Sequence, residues 1–393
     1  MGGLKVSERR HASLSEAARA RDYVSGLTHE FYPYPGRFSP RFARAAILAF
    51  SKPGDIVLDP YMGGGTTVVE ALANERHAVG VDINSLSLFL ARVKTVPLSR
   101  KDEKAVLAWA TSLSEQLSYR APKEELLVQL NDRRTRNLSA PELRALKKAI
   151  AICLASSDEL PSQRAQDFAR CVTLRTAKVA LDGRKIPQPL WVFRQRLLEY
   201  TRAMIEDMSV FRAAVGQRTQ QPIRKLLNID AADLAQDQFA ACPRQHVDLV
   251  VTSPPYAGVH VLYHRWQVQG GRETPAPYWI ARCEDGQGES YYNFGDRRES
   301  SLDTYFDVSL ETLNSVRRVM RRGAYMVQMV AFADPRRHLP RYLRNMSRAG
   351  FVEARPPNGR RRIGRITPNR KWHARLKGET CGAREIVLVH RAT

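Results

Sequence analysis

Asp55-Ile56-Val57-Leu58-Asp59-Pro60-Tyr61-Met62-Gly63-Gly64-Gly65-Thr66-Thr67 is the stretch that decides how this chain folds. A buried-type apolar strand runs into a glycine turn, and the following Val68-Val69-Glu70-Ala71-Leu72-Ala73 has the composition of a helix. Three glycines let the backbone approach a ligand closely, and the helix N-terminus behind them offers unpaired donors to a carboxylate or phosphate. A second strand, Ala78-Val79-Gly80-Val81-Asp82, ends in an acid twenty-three positions beyond Asp59. That is near the spacing at which nucleotide-type folds grip ribose hydroxyls. The order strand, turn, helix, strand, acid therefore predicts a nucleoside-cofactor site. Gly63-Gly64-Gly65 lacks the separated third glycine of a dinucleotide fingerprint, and no G-x-x-x-x-G-K-[ST] phosphate loop occurs. Hydride chemistry and ATP hydrolysis lose ground accordingly.

A second decisive stretch follows the apolar run Val247-Asp248-Leu249-Val250-Val251 and reads Thr252-Ser253-Pro254-Pro255-Tyr256. The two prolines fix φ and remove two backbone donors, leaving an acceptor-rich turn. The Ser253 hydroxyl and the Pro254 carbonyl can accept hydrogens from an exocyclic amine, and Tyr256 offers a ring face for stacking. Taken alone, this is also what a tight turn after a buried strand looks like. Beside the glycine turn, it suits a site that holds the amino group of a nucleobase.

Together, the two stretches resemble the S-adenosylmethionine-dependent DNA amino-methyltransferases, which modify cytosine N4 or adenine N6. Three further segments carry the resemblance. Thr28 to Pro40, with Tyr34, Phe38 and Ser39, is similar to the family segment lying over the methionine end of the cofactor. Asp82-Ile83-Asn84 is similar to its ribose-binding acid. Leu227-Asn228-Ile229-Asp230-Ala231-Ala232-Asp233 is similar to the short strand whose acid contacts the adenine amine. The resemblance covers roughly residues 28–98 and 225–393. It implies S-adenosylmethionine as cofactor, bound by Tyr34, Phe38, Ser39, Asp59, Pro60, Tyr61, Gly63, Gly65, Thr66, Thr67, Asp82, Ile83, Asp230 and Ala231. It implies catalysis at Ser253, Pro254, Pro255 and Tyr256, and no metal. Serine as the first residue of the Pro-Pro motif resembles the N4-cytosine enzymes, whereas aspartate or asparagine is commoner for N6-adenine. Met62 and Gly64 depart from the family pattern without removing a needed charge.

The implied chemistry needs no covalent nucleophile. The target amine must be held where acceptors draw its hydrogens, and placement supplies most of the acceleration. Because a duplex hides that amine, the base must be rotated out of the stack. A base-carbon methyltransferase would need a thiolate, and none of the five cysteines stands in a Pro-Cys order; Cys242-Pro243 is reversed. Two other readings compete with the first: an RNA base methyltransferase, and a basic DNA-binding protein that has lost turnover.

Composition agrees with a nucleic-acid partner. Lys and Arg number 62 against 40 acids, a net charge of +22 that favours a polyanion. From Arg355 to Lys377 there are nine basic residues and no acid. Arg360, Arg361, Arg362, Arg365, Arg370 and Lys371 in this stretch are expected to touch phosphate, which gives affinity more than sequence choice. The segment 257–300 is the expected target-recognition loop, with Arg265 and Trp266 as base or backbone contacts and about half of its aromatics in ordinary core. Double-stranded DNA is thus the expected partner, and a cognate restriction endonuclease is a further one that the resemblance allows.

The chain is expected to form one catalytic domain in two parts, 1–98 and 223–393, split by a helical insertion at 99–222. Apolar residues recur there at helical spacing, as in Val106, Ala110, Leu113 and Leu117, then Leu190, Phe193, Leu197, Tyr200, Met204, Met208, Phe211 and Val215. Ser139-Ala140-Pro141-Glu142 has the spacing of a capping box. Strands around Val57 and Val81, and later around Val250, Tyr325 to Ala331 and Glu385 to His390, predict the fold class. It is an α/β, Rossmann-like methyltransferase sheet with helices on both faces, interrupted by a mostly helical insertion. No apolar run reaches the ~18 residues of a membrane span and no signal-peptide pattern opens the chain, so a soluble, cytoplasmic protein is expected. Five scattered cysteines form no C-x-x-C pair, and the nine histidines show no H-E-x-x-H spacing.

Overall fold

The computed structural model describes residues 6–20, 24–34, 36, 38–118, 126, 130–216, 222–236, 246–256, 265–286, 299–356, 362–367 and 383–393. Among the described residues ten strands are formed: β1 (Ile56–Asp59), β2 (His77–Val81), β3 (Arg224–Leu227), β4 (Val247–Thr252), β5 (Trp266–Val268), β6 (Arg272–Thr274), β7 (Met320–Ala331), β8 (Phe351–Glu353), β9 (Gly364–Thr367) and β10 (Ala383–Ala392). The main sheet has the order β3-β2-β1-β4-β7-β10-β8, with β9 paired to β10. The five strands from β3 to β7 run parallel, and β10 is antiparallel to its neighbours.

This order has one consequence for function. From β1 the chain builds outward through β2 and β3, then returns to place β4 on the other side of β1. The crevice between the carboxyl ends of β1 and β4 is therefore a topological switch point, where open α/β sheets bind ligands. The glycine turn leaves β1 and the Pro-Pro turn leaves β4 at this edge.

Both faces are covered, which is why the central parallel strands carry apolar runs such as Ile56-Val57-Leu58 and Leu249-Val250-Val251. Val57 faces a core shared with α2 (Pro40–Phe50), α3 (Thr66–Ala73) and α4 (Ser85–Thr95), through Phe42, Ile47, Val69 and Leu90. Its neighbours Ile56 and Leu58 point the other way, into a core with Phe306, Val316, Tyr342 and Met346 of α10 (Glu299–Val319) and α11 (Pro335–Arg348). Helix α1 (Glu8–Arg19) lies against α2.

Between α4 and β3 stand α5 (Arg100–Gln116), α6 (Pro141–Ser157), α7 (Gln163–Leu181) and α8 (Leu190–Gly216); α9 (Ala276–Ala281) follows the β5–β6 hairpin. The inserted helices share the core of the first face: Val106, Leu154, Phe168, Phe193 and Met208 belong to the same buried cluster as Val57. The apolar stripe of α8 is buried at Phe193, Leu197, Met204, Met208 and Phe211, with Leu190, Tyr200 and Val215 at its margins. The predicted capping box at 139–142 does not form. Helix α6 begins at Pro141 with Ala140 at its N-cap, and alanine has no side-chain oxygen to offer. The reciprocal box is instead at α5, where Ser99 caps the Asp102 N–H and Asp102 accepts from the Ser99 N–H at 3.1 Å. Among the described residues no helix is long and apolar enough to cross a membrane.

Candidate functional site

Asp59, the last residue of β1, is buried, and its Oδ1 accepts from the Thr252 hydroxyl at 2.6 Å and the Tyr61 N–H at 3.1 Å. Thr252 is the last residue of β4, so this bond ties the two predicted turns together at their roots. Thr67, on the first turn of α3, adds a second tie by donating to the Val251 carbonyl at 3.1 Å. Burial pushes the Asp59 carboxyl up to about 6, against the hydrogen bonds from Thr252, Thr67 and Tyr61 that favour the ion.

A pH dependence follows. The folded protein holds the Asp59 proton more tightly than the unfolded chain, so this group's contribution is most favourable below about pH 4. It is lost as pH rises through about 6, by roughly 3 kcal/mol at most. Asp59→Asn removes the titration, and its stability relative to wild type should therefore rise across that window in denaturant melts. A pH-independent difference would show that Asp59 titrates normally.

The glycine turn is shaped by close approach. Gly65, the N-cap of α3, has φ +78, and a Cβ there would stand 3.1 Å from the Cβ of Ala91. A Cβ on Gly64 would lie 2.9 Å from the Cβ of Tyr34, and one on Gly63 3.3 Å from its ring. Tyr34 thus lies directly on the turn, its hydroxyl 3.2 Å from Ser87 Oγ. Its segment is pinned below: the Thr28 hydroxyl donates to the Lys94 carbonyl at 2.9 Å, and His29 Nε2 meets Glu70 Oε1 at 2.8 Å. Phe38 is buried against Phe42, and Ser39 caps α2. Pro60 and Thr66 are buried, and Tyr61 is half-buried.

Asp82 follows β2 and accepts from the Gly63 N–H at 2.9 Å and the Asn84 N–H at 2.8 Å. Burial pushes its carboxyl up to about 6 as well, opposed by those two bonds. Ile83 beside it is half-buried. Asn228, beyond β3, donates to the Asp82 carbonyl at 2.9 Å, bringing Asp230 and Ala231 to the same edge. There Asp230 accepts from the Ala232 N–H at 2.9 Å, and Ala231 is buried.

At the Pro-Pro turn, Pro254 is buried while Ser253, Pro255 and Tyr256 are half-buried. The Ser253 hydroxyl donates to Tyr256 Oη at 3.0 Å, and the Tyr256 hydroxyl donates to Glu385 Oε1 at 3.1 Å. Tyr305 of α10 holds the turn from outside, donating to the Pro255 carbonyl at 2.8 Å.

Residues 9–88, which include Tyr34, the glycine turn and Asp82, match the family model of the N6/N4 DNA methylases. Over this segment the chain is similar to the DNA amino-methyltransferases of the N4/N6 family, and it spans only about a fifth of the length of the curated relatives it matches. The Type II methyltransferase M.MjaII of Methanocaldococcus jannaschii is 26% identical over 118 residues, 30% of this chain and 21% of that protein. The DNA adenine methyltransferase YhdJ of Escherichia coli is 42% identical over 62 residues, 16% of this chain and 21% of that one. Among solved structures, the rRNA methyltransferase aviRa of Streptomyces viridochromogenes overlays 93% of this chain and 90% of that one, at 12% identity and a TM-score of 0.36. That overlay is too loose to carry an argument.

S-adenosylmethionine is the expected cofactor, and the residues present fit it. An acid whose carboxylate holds the Gly63 N–H follows β2, and the N-terminus of α3 lies directly behind the turn. Three residues of the site escaped sequence reasoning. Glu385 is buried in β10, Tyr305 is buried in α10, and Lys94 is buried with its Nζ donating to the Gly64 carbonyl at 2.7 Å. An acid at the head of the apolar run Ile386-Val387-Leu388-Val389 and a lone lysine in a helix of apolar character were the available signals.

The expected DNA contacts fare differently. Trp266 is wholly buried, with its Nε1 donating to Tyr32 Oη at 3.0 Å, so it presents no ring to a base. Tyr278 and Trp279 are core as well. Arg265 is spent internally on Asp285 at 2.9 Å and Glu273 at 3.8 Å. Arg365 is ion-paired with Glu385, and Arg362 is paired with Glu353, its second nitrogen at 2.8 Å from Oε2. Arg360, Arg361, Arg370 and Lys371 lie outside the described residues, as do 257–264 and 287–298. An unanticipated cationic face is that of α11, where Arg336, Arg337, Arg344 and Arg348 are exposed on a helix without an acid. Its N-terminus follows the carboxyl end of β7, the parallel neighbour of β4, and so opens at the same edge as the Pro-Pro turn.

Proposed function

We propose that this chain is a DNA methyltransferase that transfers a methyl group from S-adenosylmethionine to the exocyclic N4 amine of a cytosine rotated out of duplex DNA. The observation that carries this reading is the 2.6 Å bond between Asp59 and Thr252, which joins the cofactor-type turn to the amine-accepting turn across adjacent parallel strands. When bound, S-adenosylmethionine supplies an electrophilic sulfonium methyl carbon. Tyr34, Gly63 and Gly65 grip its methionine end, Asp82 and Ile83 its ribose, and Asp230 and Ala231 its adenine. Ser253 and the Pro254 carbonyl accept the hydrogens of the target amine, and Tyr256 stacks on the base. With the cofactor held there, the amine nitrogen would take the methyl carbon as the carbon–sulfur bond to the departing sulfur broke. The bonding pair would leave on sulfur, and the surplus amine proton would pass to solvent.

Serine at position 253 favours cytosine. Adenine N6 is the second reading, favoured by the likeness to a relative named as an adenine methyltransferase. Incubating the chain with labelled cofactor and mixed-sequence duplex DNA, then separating the nucleosides, tests both. Label in N4-methylcytosine is expected; label only in N6-methyladenine defeats the cytosine assignment, and unlabelled DNA defeats the function.

The DNA backbone runs along α11, with Arg360, Arg361, Arg370 and Lys371 as a second set of phosphate contacts. Replacing Arg336 and Arg337 together by serine should weaken duplex binding and lower the slope of log K against log salt by about 2, with turnover at saturating DNA nearly unchanged. An unaltered salt slope would remove α11 from the interface.

A further inference from the structure

The hydroxyl chain at the Pro-Pro turn ends on a carboxylate, and this fixes which way its protons point. Glu385 is 1% exposed and ion-paired with Arg365, whose guanidinium also donates to the Ala18 carbonyl at 3.3 Å. An ionised carboxylate accepts only, and a guanidinium keeps its proton. The Tyr256 hydroxyl must therefore donate to Glu385, across 3.1 Å. Having spent its proton, Tyr256 Oη meets Ser253 as an acceptor, so the Ser253 proton is committed to Tyr256, across 3.0 Å.

A serine hydroxyl facing an amine is otherwise ambiguous, able to donate or accept as its rotor turns. We propose that Glu385 is a positioning residue that works through Tyr256 to polarise Ser253, so that Ser253 presents its lone pairs, and not its proton, to the target amine. This rests on the methyltransferase reading above. It also gives Arg365, expected from sequence to touch phosphate, a different role as the counter-charge that keeps a buried carboxylate ionised. The same chain joins the Pro-Pro turn to β10 and β9 and, through Ala18, to the end of α1.

Glu385→Gln keeps the shape but gives the chain an end that can donate as well as accept. Tyr256→Phe keeps the stacking ring and the Arg365–Glu385 pair but cuts the chain in the middle. With cofactor and duplex DNA saturating, each variant should lower kcat by about 10- to 100-fold, with KM for DNA changed only a few-fold. The double variant should be no slower than the slower single one, because both break one chain. Should Glu385→Gln fail to fold, Tyr256→Phe decides alone, since it leaves the Arg365–Glu385 pair in place. Wild-type kcat in either folded variant, or effects that multiply in the double variant, would overturn the inference. A wild-type chain that transfers no label to DNA fails earlier, and overturns the methyltransferase reading on which this one stands.

Discussion

Tyr256→Ala is expected to lower kcat for methyl transfer to duplex DNA by about 100- to 1000-fold, while leaving the Kd for S-adenosylmethionine within a few-fold of wild type. Two losses combine in this variant. Stacking on an aromatic ring is worth about 1–3 kcal/mol per base, and that support for a flipped base disappears. The acceptor of the Ser253 proton goes with it, so the serine rotor is released. Cofactor binding should hold because the glycine turn, Asp82 and Tyr34 are secured by their own bonds to Asn84, Ser87 and Lys94. Parallel measurement of kcat and of cofactor affinity by calorimetry checks both halves. Near-wild-type turnover would contradict the stacking role, and a large rise in Kd would move Tyr256 to the cofactor side of the cleft.

The opposite pattern is expected at the other turn. Asp82→Ala leaves the Gly63 and Asn84 N–H groups without their carboxylate, and each unpaired buried donor costs about 1–3 kcal/mol. The glycine turn then loses its anchor to the end of β2, and a ribose loses its acceptor. The Kd for S-adenosylmethionine should rise by about 100-fold or more, while affinity for duplex DNA, which depends on surface arginines, stays close to wild type. Calorimetry for the cofactor and a DNA-binding titration without it separate the two. Unaltered cofactor affinity would show that Asp82 serves the turn alone and does not reach the ligand.

Both expectations start from features visible in the chain itself. The parallel core was legible because strands buried on both faces, such as Ile56-Val57-Leu58 and Leu249-Val250-Val251, cannot alternate with polar residues. The helical insertion was legible from its period, since one stripe of α8 had to be buried along its length. The cap of α6 was misread because Ser139 has the right spacing from Glu142 but lies one residue too early, and Pro141 fixes where the helix starts.

The surface was the hardest part to read. Arg265, Arg362 and Arg365 look like phosphate ligands when only their own segment is in view, but their partners Asp285, Glu353 and Glu385 come from elsewhere in the chain. Trp266 looks like a base contact until the hydroxyl of Tyr32, more than two hundred residues earlier, is found on its Nε1. Local composition cannot separate a charge that is paired at long range from one that faces solvent. The arginines of α11 show the converse: four of them are exposed on a helix with no acid, although Arg341 of the same helix pairs with Asp303.

The central claim is that the glycine turn and the Pro-Pro turn form one cleft with a methyl donor on one wall and an amine acceptor pair on the other. A crystal structure with S-adenosylhomocysteine tests it most directly. The account predicts the methionine part of the ligand at the glycine turn beside Tyr34, its ribose on Asp82, and its sulfur open toward Ser253 and Pro254. A ligand bound elsewhere, or a sulfur walled off by protein from the Pro-Pro turn, would contradict it.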